Sequence, residues 1–60
     1  MNHAATIKLR NFCSRTVWIA TVVVGRRTVY ETRAWGNATN ARDDAAAVAA
    51  ERGLRVIAVK

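Results

Sequence analysis

Six side chains in this 60-residue chain have the chemistry to act on a bond: His3, Cys13, Glu31, Asp43, Asp44 and Glu51. Cys13 and His3 could make a thiolate pair. They are the chain's one cysteine and one histidine, and no third group is spaced to orient the imidazole. Asp43 and Asp44 are adjacent in a helical stretch, so their side chains diverge by about 100° and do not readily share a metal or a proton. A structural zinc site wants about four ligands drawn from Cys and His, and the chain has one of each. The three glycines are isolated, so no glycine-rich loop cradles a phosphate. The expectation is a protein that is not an enzyme, with no metal and no cofactor.

The chemistry that remains is binding. Lys and Arg number 10 against 4 acids, for a net charge of +6. Residues 1–30 hold five basic side chains and no acid, while residues 31–60 hold five and four. Such an uneven basic surface attracts polyanions; the plainer alternative is a merely soluble basic protein. The candidate nucleic-acid contacts are Lys8, Arg10, Trp18, Arg26, Arg27, Arg33 and Trp35. Arginine suits phosphates and guanine edges, and tryptophan offers a stacking surface. Each tryptophan also has a structural reading. Trp18 opposite Arg33 would make a cation–π pair covering the sheet, and Trp35 would fold over the sheet end beneath the helix. Arg26 and Arg27 crown a turn, where a groove or backbone is touched first.

The elements that must position these side chains start with a hairpin. Thr16–Val24 and Arg27–Trp35 are rich in Val, Ile, Thr, Tyr and Trp, the residues strands favour. Gly25-Arg26 joins them, with glycine free to take the positive φ of a two-residue turn. That turn predicts a register: Val24 faces Arg27, Val22 faces Val29, Trp18 faces Arg33, and Thr16 faces Trp35. Residues directly opposite share a face. One face is then Val17, Ile19, Thr21, Val23, Thr28, Tyr30, Thr32 and Ala34, uncharged and assigned to the core. The other holds Trp18, Ala20, Val22, Val24, Arg27, Val29, Glu31, Arg33 and Trp35.

Met1–Ala5 reads as a loose end. Thr6–Phe12 alternates, with Ile7 and Leu9 inward and Lys8 and Arg10 outward, as in a half-buried strand. Gly36–Thr39 is a loop of turn formers. A helix is expected over Ala41–Arg52, capped by Asn40 or Thr39, with Asp43 and Asp44 in its first turn and Gly53 ending it. Ala41, Ala45, Val48 and Ala49 make its buried stripe, with Ala46 and Ala50 beside it. Leu54–Val59 suits a short last strand, which would pair with Thr6–Phe12 or cross to a second subunit. The fold class is α+β: a three-stranded antiparallel meander with one helix on one face and room for a short C-terminal strand. Residues 1–60 form one small domain. So little chain is marginal alone, which makes a homodimer an expectation. No apolar run nears the ~20 residues of a spanning helix. No signal-peptide core is evident, and a free cysteine fits a reducing cytoplasm. The expected localisation is cytoplasmic; Lys8, Arg10 and Arg15 evoke a mitochondrial presequence, but at β-like spacing.

The segments VWIATVVVGRR and NARDDAAAVAA resemble the three-stranded DNA-binding modules, the arm-binding domains of phage-type integrases and the plant ethylene-response-factor domains. The first matches a tryptophan strand leading to a basic turn, the second a cap followed by acids and alanines at a helix start. The resemblance spans about residues 16–52. It implies a sheet lying in the DNA major groove, with Trp18, Arg27, Arg33 and Trp35 as readers and Arg26 on phosphate. ARDDAAAVAA is also similar to the last helix of double-stranded-RNA-binding domains, which ranks second. A third reading, from a different class, is a small phage- or plasmid-type inhibitor or antitoxin-like protein that grips a host protein.

Overall fold

A computed structural model of the chain describes residues 3–60. Four strands and one helix run in the order β1 (Ala4–Phe12), β2 (Val17–Val24), β3 (Arg27–Glu31), α1 (Ala38–Glu51) and β4 (Arg55–Val59). The strands make one sheet in the spatial order β3-β2-β1-β4. β2 is antiparallel to both β1 and β3, whereas β4 is parallel to β1. The α+β class and the meander are as expected, and the fourth strand turns the sheet into a mixed one. β3 and β4 therefore run in the same direction at opposite edges. Parallel strands need a long crossover, and α1 supplies it by passing over one face of the sheet.

The turn at Gly25-Arg26 forms as expected. Gly25 has φ 62°, and Val24 pairs with Arg27. The register beyond it does not hold. Val23 pairs with Thr28, but Val22 pairs with Tyr30, so Val29 is an extra residue in β3. A second residue is added between the Thr32–Ala20 bond and the next bridge, so Trp18 meets Trp35, not Arg33, and Thr16 lies in the preceding turn. Because side chains alternate with period two, one inserted residue turns the rest of the strand over.

The face assignment is corrected with it. The sheet side of the core is Ala5, Ile7, Ala20 and Val22, and the helix side is Ala41, Ala45 and Ala49. Trp18, Val24, Val29, Tyr30 and Trp35 pack against this cluster. Ile19 and Val23, assigned to the core from the sequence, lie on the other face of β2. The pairing across β1 explains the choice. Ile7 sits opposite Val22 and Leu9 opposite Ala20, so the inward side of β1 selects the Ala20–Val22 side of β2. Alanines on helix and sheet then let the two layers approach closely.

The helix starts three residues earlier than its pattern predicts. Asn37 caps it in an extended conformation (φ −149°, ψ 161°), its side chain accepting the Asn40 N–H at 2.8 Å. Asn40 is thus a donor inside the first turn, not the cap, and Asp43 and Asp44 lie one turn deeper than expected. The C-terminus closes as expected at Gly53, with φ 71°. The Gly53 N–H donates to Ala50 O at 3.1 Å and the Leu54 N–H to Ala49 O at 2.8 Å, the paired bonds of a Schellman end. At the other terminus, Ala4 and Ala5 belong to β1, and Ala5 is 1% exposed. The loose end expected there is ordered from His3 onward, and Met1 and Asn2 lie outside the described residues. Among the described residues no helix is long and apolar enough to cross a membrane.

Candidate functional site

The helix leaves one face of the sheet bare. Alternation along β1 sends Lys8 and Arg10 to that face, as expected. Pairing extends the set across the sheet, with Lys8 opposite Thr21 and Arg10 opposite Ile19. Thr21 in turn lies opposite Glu31, and Val23 opposite Thr28. On the other side of β1 the ladder continues past β4. The Lys60 N–H donates to Ile7 O at 2.8 Å, and the Leu9 N–H donates to Lys60 O at 2.8 Å. Those two bonds bracket Lys8, so Lys60 lies directly beside it.

The result is a shallow depression of about 620 Å³ whose rim carries Lys8, Arg10, Arg26 and Lys60, with Glu31 as its one acid. Thr21 forms the floor and is only 7% exposed, though no helix covers it. Lys8 and Glu31 flank Thr21 on opposite strands, which separates their backbones by about 10 Å. Among the described residues the ion pair present is Arg42–Asp43 at 3.7 Å, on the helix; the cations of the depression have no such partner. Placing like charges side by side, as Lys8 and Lys60 are, destabilises a sheet. An anion bound between them would relieve that repulsion. At the far end of β1, the Arg10 guanidinium sits 5.2 Å from the centre of the Phe12 ring, and Phe12 is exposed.

The structure brings together three of the seven expected contacts: Lys8, Arg10 and Arg26. The other four lie elsewhere. Trp18 and Trp35 face the helix, and the Trp35 Nε1–H donates to Asp44 Oδ2 at 2.9 Å. The Tyr30 hydroxyl donates to Asp44 Oδ1 at 3.0 Å. One carboxylate thus ties two aromatic side chains to the helix, and the hydrogen bond to it is the main reason the Tyr30 phenol is raised above its ordinary pKa of 10.0. Trp35 folding beneath the helix is the structural reading of that residue. Arg33 stacks on the Trp35 ring at 3.9 Å, not on Trp18. Arg27 stands opposite Val24, hence on the helix side of the turn tip. Trp18 and Arg27 leave the open face because β2 faces the other way, while Trp35 reaches the helix side through a second extra residue between the Thr32–Ala20 and Trp35–Trp18 bonds, and Arg33 goes with it by stacking on its ring.

Two residues of the open face escape sequence reasoning. Lys60 carries a visible charge, but only the β1–β4 pairing brings it beside Lys8. Phe12 continues the outward alternation of Lys8 and Arg10, a signal present in the sequence and overlooked. Cys13 and His3 do not come together as a thiolate pair, since His3 precedes β1 and Cys13 follows it, and nine strand residues separate them by about 30 Å. The chain matches no protein-family model, no curated protein and no solved structure.

Proposed function

We propose that this protein binds nucleic acid through the open face of its sheet, with Lys8, Arg10, Arg26 and Lys60 on backbone phosphates. The observation that carries the reading is the pairing of Lys8 beside Lys60 in a depression that two arginines complete, on a chain of net charge +6. Neutralising phosphates releases condensed counterions, which is the main source of sequence-independent affinity. Both tryptophans are engaged with the helix side, so the face offers cations and threonines, with the exposed Phe12 as its aromatic ring. Phosphate contacts position a protein without specifying sequence. Weak sequence preference follows. A preference for duplex over single strands follows too, because single-strand binders stack successive bases on several aromatic side chains and this face presents Phe12 at one end. Duplex DNA is favoured over RNA, since the β2–β3 turn tip that carries Arg26 can enter the wide DNA major groove, whereas the A-form major groove is too deep and narrow.

The test is fluorescence anisotropy with labelled duplex DNA, duplex RNA and single-stranded DNA over a range of salt. Four phosphate contacts give a log–log slope of about −3.6. Changing Lys8 and Arg26 together to Ala should flatten it by about 2. Equal affinity for the variant and the parent would remove the open face from the interaction. A salt-insensitive interaction with protein alone would favour the host-protein-binding reading.

A further inference from the structure

The two edges of the sheet are finished differently. On β3, the Arg52 guanidinium reaches from the end of the helix and donates to Val29 O at 2.7 Å. The other side chains along that edge include the exposed Arg27, Thr28 and Glu31. Polar and charged side chains, and a group that covers an edge carbonyl, are devices that stop a sheet from adding strands. β4 carries charge only at its two ends, on Arg55 and the adjoining Lys60. Its exposed side chains between Arg55 and Lys60 are Val56, Ile57 and Val59, and Ile57 is 60% exposed. Ile57 is also the residue at which β4 slips against β1, between the pairs Val56–Ala5 and Ala58–Thr6. An extra residue of this kind is left without a ladder partner.

We propose that the outer edge of β4 pairs with β4 of a second copy of this chain, antiparallel and centred on Ile57. The register is what points to a second copy. Centring on Ile57 sets Ile57 against its own counterpart and Arg55 against Val59 of the other copy. Lys60 then falls against Leu54, so no cation meets a cation, Ile57 meets Ile57 and Val56 meets Ala58. The chain also has reason to bury more surface. Its largest fully buried side chains are only Ile7 and Val22, and a core this small is usually supplemented by a partner. Antiparallel pairing at an edge has its twofold axis perpendicular to the sheet. Both helices then lie on one side and both basic depressions on the other. The pairing does not depend on nucleic-acid binding, but it would join the two depressions into one continuous cationic face.

Sedimentation equilibrium of the full chain over a range of concentrations and salt tests this. The expected mass is twice 6.6 kDa, falling to the single-chain value in Ile57→Lys, with the helical and strand signals of circular dichroism retained. Association should strengthen with salt, because each copy carries +6 and salt screens their repulsion. Nucleic-acid binding should weaken under the same change, so the two readings fail separately. A second variant does not depend on destabilising the edge. In a Cys13→Ser background, Ile57→Cys should cross-link on mild oxidation, because directly opposed residues of antiparallel strands have Cα atoms about 4.5–5.5 Å apart, within disulfide reach. The same cysteine at Thr28, on the β3 edge, should not. A single-chain mass throughout, a dimer indifferent to Ile57→Lys, or equal cross-linking from Thr28→Cys would each overturn the proposal.

Discussion

The covered and open faces of the sheet are built from alternate residues of the same strands, yet they solve opposite problems. Toward the helix, Ala5, Ile7, Ala20 and Val22 meet Ala41, Ala45 and Ala49, and small side chains hold two backbones close. The polar atoms on that side have partners. Asp44 accepts from Tyr30 and Trp35, while Thr32 Oγ1 accepts the Ala20 N–H at 3.1 Å and donates to Arg33 O at 2.8 Å. On the open side Lys8, Arg10, Arg26 and Lys60 gather with no carboxylate in ion-pairing reach among the described residues. The covered face carries the stability, and the open face holds charge that costs a little of it. A surface that keeps an unfavourable arrangement is where a ligand has most to relieve.

Neighbouring residues break this comparison most sharply. Ile7→Ala should destabilise the protein by about 2–5 kcal/mol, the usual cost of a core cavity. That is most of the roughly 3–9 kcal/mol expected of a domain this size, so the thermal transition should fall steeply or vanish. Lys8→Ala, one residue on, should leave the transition in place or raise it by a few tenths of a kcal/mol as its repulsion with Lys60 goes. Equal losses at the two positions would contradict the division of faces. Asp44→Ala comes next at about 1–3 kcal/mol, because it strands the Trp35 indole N–H and the Tyr30 hydroxyl. A denaturant titration followed by tryptophan fluorescence would report it, and a change under half a kcal/mol would deny the carboxylate its tying role. The smallest effect is in alkali. Tyr30 has its pKa raised in the folded chain, so its contribution is present below pH 10 and is lost as pH climbs through the folded value. Stability should therefore fall more above pH 10 in the parent than in Tyr30→Phe, and parallel curves would refute the link.

Local chemistry was legible residue by residue. Gly25 was readable as a turn because a two-residue hairpin needs positive φ there, and Gly53 as a helix end for the same freedom. The Ala41–Ala45–Ala49 stripe followed from helical spacing, and the outward Lys8 and Arg10 from a strand with real contrast between its sides. β2 has no such contrast. VWIATVVV is apolar on both faces, so its facing was inferred from the charges of β3, and these were assigned through a register that the Val29 bulge breaks. The helix is capped by Asn37, from the stretch read as a loop, and not by Asn40 or Thr39.

The sequence alone was enough for the existence of the strands and the helix, the turn at Gly25, the helix stop at Gly53 and an excess of positive charge, since each depends on side chains within a few residues of one another. Only the tertiary structure decided which side of β2 meets the helix, that both tryptophans join it there, and that Lys60 comes to rest beside Lys8. Those outcomes rest on the pairing of β2 with β1, on extra residues in the strand after the turn, and on the parallel pairing of β1 with β4. Both are settled by how whole layers pack, and no short stretch of residues records that.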